Sequence, residues 1–368
     1  MIEVITEYND FLGLSESWNS VLEKSRNDSV FLTFEWMQAW WKVFGKDKQL
    51  LVILVKDDSG TITGIAPLML HKRKVSFIYN HHSSYADFII CADAKPVLEA
   101  VIGYLKENKR QWDIIELENI PKESSNYPVL IGLLKREKFF LAVKDGLRSP
   151  FIRIEHGWEK YFCSRPKKFR KNSRNIINRI SKFSHSVEKF TDLRDDAGIL
   201  NTVFKISGKS WKTLRRKPQD LQEENEFILE LNRAIAEKKW RQIWVLNLEG
   251  KPIAYEYHLR YKDTIYALKA DFDEEYGDFS PGAVLDHSIM KDYFSDGLRE
   301  YDLCGHDDAY KMKWTELARD HAVLCTYQKN FYGLAFYLLD YRVMYTLKNI
   351  FKKYALLRRI KRYYLRMR

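Results

Sequence analysis

Side chains that can move protons are concentrated between positions 302 and 311. Asp302 lies at the end of a short strand predicted at Tyr301–Leu303, and open α/β sheets bind their ligands at such strand ends. We therefore expect Asp302 to act as a general base or to orient a substrate, the alternative being a loop cap. His306 could accept a proton near neutral pH, although a single loop histidine is more often without function. Lys311 could hold a substrate carboxylate or phosphate, or pair with Asp302.

The tripeptide Ser280-Pro281-Gly282 predicts the start of a helix. The first N–H groups of a helix have no partner inside it, its dipole favours an anion there, and Gly282 lets a ligand approach the backbone. A pyrophosphate would fit this place. Many helices begin in this way with nothing bound, so the tripeptide alone also permits an ordinary helix start.

The elements around this tripeptide read as strand, helix and strand. An apolar run at Ile265–Leu268 precedes it, and Gly297 ends the helix before the second strand at Tyr301–Leu303. The helix itself is indicated by apolar residues at helical spacing, namely Val284, Leu285, Ile289, Met290 and Phe294.

The same order of elements occurs twice in the chain. Leu51–Leu70 and Ile243–Leu259 each read as two strands joined by a glycine turn. Each hairpin is followed by a predicted helix, and the helix of the first copy begins at Lys95-Pro96-Val97 without a glycine. We therefore expect one working cofactor site, in the second half, while the first half forms a wall against which the substrate binds.

Composition limits the class of protein. With 368 residues, of which 45% are hydrophobic, the chain is long and apolar enough to form two domains, or one large domain, with substantial hydrophobic cores. Its four cysteines lie apart without a C-x-x-C pair, so neither a disulfide framework nor a metal site is expected. The N-terminus lacks a basic signal-peptide start, and no apolar run reaches the ~20 residues that span a bilayer, which favours a cytoplasmic location.

The wider spacing resembles the CelD-like branch of the GNAT acyltransferase superfamily, which is related to the Fem peptidyltransferases. In the second half the resemblance rests on the hairpin Gly250–Ala254 and on Asp273, Tyr276, Ser280-Pro281-Gly282, Gly297, Tyr301-Asp302, Asp307, Tyr310-Lys311 and Trp314. In the first half it rests on Phe31, Trp36, Trp40, Gly45 and the hairpin Ile65-Ala66-Pro67-Leu68. His306 stands where this pattern usually has a small residue, which indicates a change in substrate or geometry near that loop.

The resemblance implies an α/β (α+β) fold with tandem GNAT-like mixed-sheet halves, to which the sequence adds a C-terminal basic amphipathic helix. We place a degenerate half at residues 1–150, an acyltransferase half with the CoA site at 151–330, and the tail at 331–368. The expected activity is N- or O-acyl transfer from acetyl-CoA or another acyl-CoA.

The resemblance also assigns site residues. In GNAT enzymes the pantetheine arm of CoA pairs with an exposed strand edge, and its pyrophosphate lies at the next helix N-terminus. In this sequence these places are Ala267, Leu268, Lys269 and Ala270 for the arm, and Ser280, Pro281, Gly282 and Ala283 for the pyrophosphate. Tyr310 could protonate the leaving thiolate. Glu256 and Asp273 are possible orienting residues, and Asp273 with Tyr276 is expected at the substrate.

The acceptor that the resemblance implies is an amino sugar, or a lipid-linked or surface polysaccharide precursor. A Fem-like transferase that takes an aminoacyl group from tRNA is the alternative, and it alone requires a nucleic acid. Such proteins often carry a long helical hairpin, which this sequence lacks. A non-catalytic, membrane-associated accessory of glycan synthesis is a third possibility, against which the intact second-half pattern argues.

Positive charge is concentrated in the tail, which has no acidic residue after Asp340. Its basic residues are Arg342, Lys348, Lys352, Lys353, Arg358, Arg359, Lys361, Arg362, Arg366 and Arg368, and they supply most of the net charge of +11. Apolar and aromatic residues recur between them at helical spacing. The pattern predicts a basic amphipathic helix that binds an anionic membrane surface through residues 341–368, making the protein peripheral, or that packs on the protein itself.

A second basic run, Arg165–Arg174 with Arg179 and Lys182, lies between the two halves. Ile176, Ile177 and Ile180 indicate that this run is helical too. The resemblance places it beside the cleft, where it could meet phosphates of CoA, of a nucleotide-linked substrate or of RNA. A solvated helix face is the alternative.

Overall fold

The computed structural model describes residues 1–137, 139–191, 196–213 and 217–339. Its first half contains β1 (Ile2–Ile5), α1 (Tyr8–Leu12), α2 (Ser15–Lys24), α3 (Phe34–Phe44), β2 (Gln49–Lys56), β3 (Ile62–His71), β4 (Lys74–Phe77), β5 (Ile89–Ile90), α4 (Ala94–Glu107), β6 (Ile114–Pro121), α5 (Asn126–Arg136) and β7 (Phe140–Arg153). The fold is mixed α/β, as expected.

The second half repeats the plan with additional helices. It contains α6 (Trp158–Ser164), α7 (Lys167–Ile180), β8 (His185–Phe190), α8 (Asp196–Gly208), α9 (Pro218–Ala234), β9 (Arg241–Leu248), β10 (Lys251–Tyr261), β11 (Thr264–Phe272), α10 (Pro281–Tyr293), β12 (Glu300–Asp302), β13 (Ala318–Tyr327) and α11 (Phe331–Tyr337). The two predicted hairpins are confirmed as the antiparallel pairs β2–β3 and β9–β10.

The described strands form one continuous sheet in the order β1-β2-β3-β4-β6-β13-β7-β12-β11-β10-β9-β8, with β5 paired to β3. β13 comes late in the sequence but lies between β6 and β7 of the first half. β7 is shared, because its residues up to Pro150 pair with β13 and Phe151–Arg153 pair with β12. The proposed boundary between residues 150 and 151 thus falls inside a strand that joins the halves, and the division into domains stays a prediction.

In the described residues, three large cores and one small cluster, which α11 covers, pack against this sheet. Alternate residues of β2 point to opposite faces, so Leu50, Val52 and Leu54 join one core and Leu51, Ile53 and Val55 another. The first core is common to both halves, with α2 and α3 from the first and α8 and α9 from the second. On the other face, α4 and α5 cover the first half, and α6, α7 and α10 cover the second. We call the two faces of the second-half sheet the α9 face and the α10 face.

The predicted basic tail is described only at its start. In α11, Tyr337 packs on Phe140 and Tyr327, whereas Phe331 and Tyr332 are 81% and 72% exposed. Residues 341–368, where the amphipathic helix is predicted, lie outside the described residues. Among the residues that are described, no helix has both the length and the apolar character needed to cross a membrane.

Candidate active site

An open strand edge lies at the centre of the second half. β12 runs parallel to β11 only from Thr264 to Tyr266, where Tyr266 faces Asp302. β12 ends there, while β11 continues to Phe272 with β10 as its only strand partner in the described structure. An edge of this kind presents backbone N–H and C=O groups to an added strand or ligand. The Nζ of Lys212 already donates to the carbonyl of Ala270, at 2.5 Å.

A β-bulge interrupts β11 where the edge becomes free. Lys269 faces Tyr257, but Ala267 faces His258, so Leu268 is an extra residue with no opposite partner. A bulge of this kind bends a strand and changes the direction of its backbone groups, and it is common next to active sites. The four residues that sequence analysis assigned to the pantetheine arm therefore lie along the bulged, free edge.

The loop after this edge leads directly to the start of α10. Ser280 adopts the left-handed conformation (φ 56°, ψ 55°) and its side chain does not cap the helix, whose first turn has no acidic residue. A Cβ atom added at Gly282 would meet nothing within 4 Å. Arg179 of α7 donates from Nη2 to Ser280 Oγ at 3.2 Å. The helix start is thus uncapped, open and next to a positive charge, as an anion site requires.

Asp273 and Tyr276 hold the same loop in shape. The Asp273 carboxylate accepts from the backbone N–H of Glu275 at 3.2 Å and from the Nζ of Lys209 at 2.6 Å. Tyr276 packs at the margin of the core under α10. Because Asp273 is engaged by the loop itself, its observed contacts are those of a turn cap; its predicted contact with substrate stays a prediction.

On the α10 face, several titratable groups gather near the open edge. Burial raises the pKa of Glu256 to about 8, and burial together with the Glu256 charge raises that of Asp286 well above its usual value. Lys311 donates from Nζ to the carbonyl of Cys304 at 2.7 Å, and burial lowers its pKa. Tyr310 is 54% exposed; desolvation of its hydroxyl and the charges of Asp286 and Glu256 raise its pKa.

Asp302 lies on the opposite side of the sheet and is fully buried. Its carboxylate accepts from Tyr85 Oη, from Arg319 Nη1 at 3.0 Å, from Ser149 Oγ at 3.3 Å and from the Cys304 N–H at 2.8 Å. Burial raises its pKa, against the opposing effect of Arg319. His306 is exposed on the following loop, and within the described residues its side chain makes no hydrogen bond. Lys311 forms no ion pair with Asp302 in the described structure: its Nζ donates to the Cys304 carbonyl, and its charge only opposes the rise in the Asp302 pKa.

A cleft of about 580 Å³ opens between the halves above Asp302. Its lining includes Tyr85 and Asp87 of the first half, Tyr266 and Glu300 of the second, and Arg319 of the exchanged strand β13. Arg319 donates to Glu300 at 2.6 Å and to Glu123 at 2.7 Å, besides Asp302. Six carboxylates and four basic side chains line the cleft in all, and burial raises the pKa of Asp87 to about 6.

Comparison with known proteins agrees with this geometry. Residues 167–312 match the family described as an acetyltransferase (GNAT) domain. The chain carries a GNAT acetyltransferase domain. It is therefore an acyltransferase of the GNAT type, and the match spans the open edge, the start of α10 and the cluster up to Lys311. No curated protein matches the chain.

The fold is similar to those of several solved structures, one of which is described as a tandem GNAT protein. FemX shares 14% identity over 88% of this chain and 96% of its own, with a TM-score of 0.58. L-PGS from Bacillus licheniformis shares 12% over 86% and 92%, with a TM-score of 0.55. A tandem GNAT protein from the clavulanic acid biosynthesis pathway shares 9% over 90% and 100%, with a TM-score of 0.53. At such identities the likeness concerns the fold.

Sequence analysis missed the first-half and β13 residues around Asp302. Tyr85 and Arg319 are 217 and 17 positions away from it, and no local spacing connects the three. They meet only because β13 leaves the second half and enters the sheet of the first. The pair Glu256 and His258 could have been recognised, since alternate residues of a predicted strand share a face.

Proposed function

We propose that this GNAT acyltransferase belongs to the CelD-like branch and transfers an acyl group from acetyl-CoA or a related acyl-CoA to an amino sugar or a polysaccharide precursor. The observation that carries the proposal is the continuity of the bulged free edge of β11 with the uncapped start of α10. The edge offers backbone groups to the amides of a pantetheine arm, and the helix start offers N–H groups to a pyrophosphate.

The two faces of the sheet divide the reaction between them. Glu256, Tyr310 and Lys311 lie on the α10 face, together with the helix that would receive the pyrophosphate. The cleft lies on the α9 face, and its floor is formed by Tyr266 and Asp302, the last residues at which β11 and β12 pair. An acyl group inserted where the strands separate would therefore face an acceptor held in the cleft.

The residues of this chain then have distinct tasks. Asp302 accepts a proton from the acceptor amine or hydroxyl, or orients that group towards the acyl carbon. Arg319 and Tyr85 fix the position of the Asp302 carboxylate. Backbone N–H groups at the bulge hold the developing oxyanion. The proton for the departing sulfur comes from the α10 face. Lys311 braces the loop after β12, where Cys304 and Gly305 both adopt positive φ angles of 50° and 58°.

The charge of the cleft favours an amine or hydroxyl acceptor over a phosphorylated one. Carboxylates outnumber basic groups by two in its lining, and most of the basic groups are already paired, as Arg299 is with Asp263 at 2.8 Å. A nucleotide diphosphate would meet unfavourable charge there, whereas an ammonium group or sugar hydroxyls would find acceptors. This supports an amino sugar, free or at the end of a carrier, as the acceptor.

A Fem-like reaction with aminoacyl-tRNA is the second candidate, and the exposed basic surface of α7 favours it. Lys167, Lys168, Lys171 and Arg174 are exposed along this helix, and none of them forms an ion pair within the described residues. Such a surface suits a polyphosphate backbone. It also suits the phosphates of CoA, because α7 contacts the start of α10 through Arg179.

Binding measurements separate the two candidates. The purified chain is titrated with acetyl-CoA by calorimetry, and with an aminoacyl-tRNA in a filter assay at two salt concentrations. We expect saturable binding of one acetyl-CoA and release of free thiol when an amino sugar is added. Tight tRNA binding without acetyl-CoA binding would contradict the proposal. A nucleotide-linked form of the same sugar should be a poorer acceptor than the free or lipid-linked form.

We further propose that the tail holds the enzyme on the inner face of the cytoplasmic membrane. The exposed apolar side chains at the start of α11 continue into the basic stretch, a combination suited to an anionic lipid surface. Vesicles that contain an anionic lipid should bind the full chain, less so at high salt, whereas neutral vesicles should not. Deletion of residues 341–368 should remove vesicle binding and leave thiol release unchanged; binding that survives the deletion would contradict this placement.

A further inference from the structure

A chain of hydrogen bonds joins Glu256 to the inner side of α10. His258 Nε2 lies 2.9 Å from Glu256 Oε2, and His258 Nδ1 lies 2.7 Å from Tyr293 Oη. Trp244 Nε1 donates to the same Tyr293 oxygen at 3.0 Å. His258 is 0% exposed, and burial lowers its pKa to about 3. The ring is therefore neutral at pH 7, and its contact with Glu256 is a hydrogen bond and not an ion pair.

We assign the direction of these hydrogen bonds from the donors present. The indole of Trp244 can only donate, so the Tyr293 oxygen accepts from it, and we assign the Tyr293 O–H as the donor to His258 Nδ1. Tyr301 Oη lies 3.4 Å from the other ring nitrogen, His258 Nε2. The single proton of the neutral ring is then on Nε2, which donates to Glu256 Oε2. With this oxygen accepting from His258, the acid proton of the Glu256 carboxyl is placed on the other oxygen; the Tyr301 hydroxyl is a further hydrogen-bond partner of Glu256. The carboxylate formed when that proton leaves keeps the same donor.

Other charged and polar groups around Glu256 come from four places in the chain. Lys212 follows α8, Tyr301 belongs to β12, and Lys311 lies in the loop after β12; each of the three lowers the pKa of Glu256. Asp286, on α10, lies close enough for the Glu256 charge to raise its pKa. Burial outweighs the three lowering effects, so the Glu256 carboxyl carries a proton at pH 7.

We propose that Glu256 is the proton donor to the departing thiol sulfur, and that His258 and Tyr293 are the residues that position it. The inference rests on the proposed function, since it assigns a role within that reaction. As the bond between the acyl carbon and sulfur breaks, the carboxyl proton passes to the sulfur and gives a free thiol and a Glu256 carboxylate. The carboxylate is stabilised by His258 Nε2–H and regains through solvent the proton that the acceptor lost.

Glu256 suits this task better than Tyr310. A proton donor works best when its pKa lies near the working pH, and the value of about 8 for Glu256 meets this condition. The pKa of Tyr310 is raised above that of an ordinary phenol, and more than half of its surface is exposed. Glu256 also lies directly across from Ala270 on the free-edge strand.

The first test needs no turnover. The infrared band of a protonated buried carboxyl is followed with pH in the free protein and assigned by its absence in Glu256→Gln. We expect the band to disappear as pH rises through about 8. His258→Phe removes the donor to the charged form and should move this titration up by about one pH unit. His258→Gln, which restores an N–H donor, should bring it back towards the wild-type position, and Tyr293→Phe should give a smaller upward shift.

The second test follows thiol release from acetyl-CoA against pH. Since only protonated Glu256 donates, the wild-type rate should fall as pH rises through the value at which the infrared band disappears. In Glu256→Gln this fall should be absent and the rate lower by about 10²-fold. In His258→Phe the fall should move to higher pH, whereas a purely structural loss would lower the rate equally at every pH. Tyr104→Phe, on α4, is the matched control and should change neither profile.

Failure of the inference and of the proposed function give different results. A Glu256 that is ionised at pH 7, or a titration that His258→Phe does not move, overturns the inference whatever the turnover. A wild-type protein with the expected titration but without acetyl-CoA binding or thiol release contradicts the proposed function, and the donor role with it.

Discussion

The two halves contain the same strand–helix–strand unit, but the starts of the two helices are capped differently. At α4 the carboxylate of Asp93 caps the helix by accepting from the N–H of Lys95 at 3.1 Å. At α10 the side chain of Ser280 does not cap the helix, and Arg179 lies beside it. A carboxylate at a helix start accepts a hydrogen bond from a free N–H group and repels a phosphate. We call the anion site at such a helix start a seat: the first half has closed its seat, and the second half leaves its seat open.

The strand pairs show the same division of roles. β4 and β6 pair in parallel over Lys74–Ser76, as β11 and β12 do over Thr264–Tyr266. In the third pair of each register, Glu116 of the first half takes the place of Asp302. Glu116 forms an ion pair with Lys74 at 2.5 Å near the surface, whereas Asp302 is buried at the floor of the cleft. In the first half the carboxylate stabilises the sheet through an ion pair, whereas in the second half the carboxylate lies in the candidate active site.

The largest effect is expected from Asp302→Asn. Loss of the proposed proton acceptor should lower turnover by about 10²-fold or more, while the affinity for acetyl-CoA should stay nearly unchanged because the proposed CoA site lies along the free edge of β11 and at the start of α10. The measurement is thiol release with an amino sugar, together with calorimetric binding of acetyl-CoA. Glu116→Gln is the matched control in the first half and should keep full turnover. Normal turnover in Asp302→Asn would exclude this residue as the base.

A smaller effect is expected from Gly282→Leu. A side chain at this position meets open space in the protein, so the variant should fold, but it would cover the N–H groups of the proposed pyrophosphate site. We expect the dissociation constant for acetyl-CoA to rise at least about tenfold, or ~1.4 kcal/mol. Gly103→Leu, at an equally open glycine in the middle of α4, should leave binding unchanged. Unchanged binding in Gly282→Leu would mean that the cofactor lies elsewhere.

Local pattern was sufficient for the elements of the site and insufficient for their assembly. The two hairpins, the helix from Pro281 and the strand before it follow from short-range spacing, which turn chemistry and side-chain periodicity determine. The position of β13 depends on pairing with strands far away in the sequence, and it brings Arg319 to Asp302 beside Tyr85 of the first half. The bulge at Leu268 depends on the exact register of β10 and β11, which periodicity does not give. Asp93 was recognisable, since an aspartate just before a helix start is a common cap. That this cap closes an anion site is apparent only by comparison with Ser280, which leaves the start of α10 uncapped.

The smallest effect tests whether the first-half seat is closed by its cap alone. Asp93→Ala removes the carboxylate and should lower the free energy of unfolding by about 1 kcal/mol, the usual cost of a lost cap. Ser280→Ala should cost less, because that side chain caps nothing. Urea unfolding of both variants measures the difference.

Calorimetric titration of Asp93→Ala with acetyl-CoA should still give one site per chain, because α4 continues with Lys95 and Pro96 where α10 has Gly282, and a lysine side chain stands where the ligand would approach the backbone. Two sites per chain would mean that the first half kept a complete seat and that Asp93 alone had closed it.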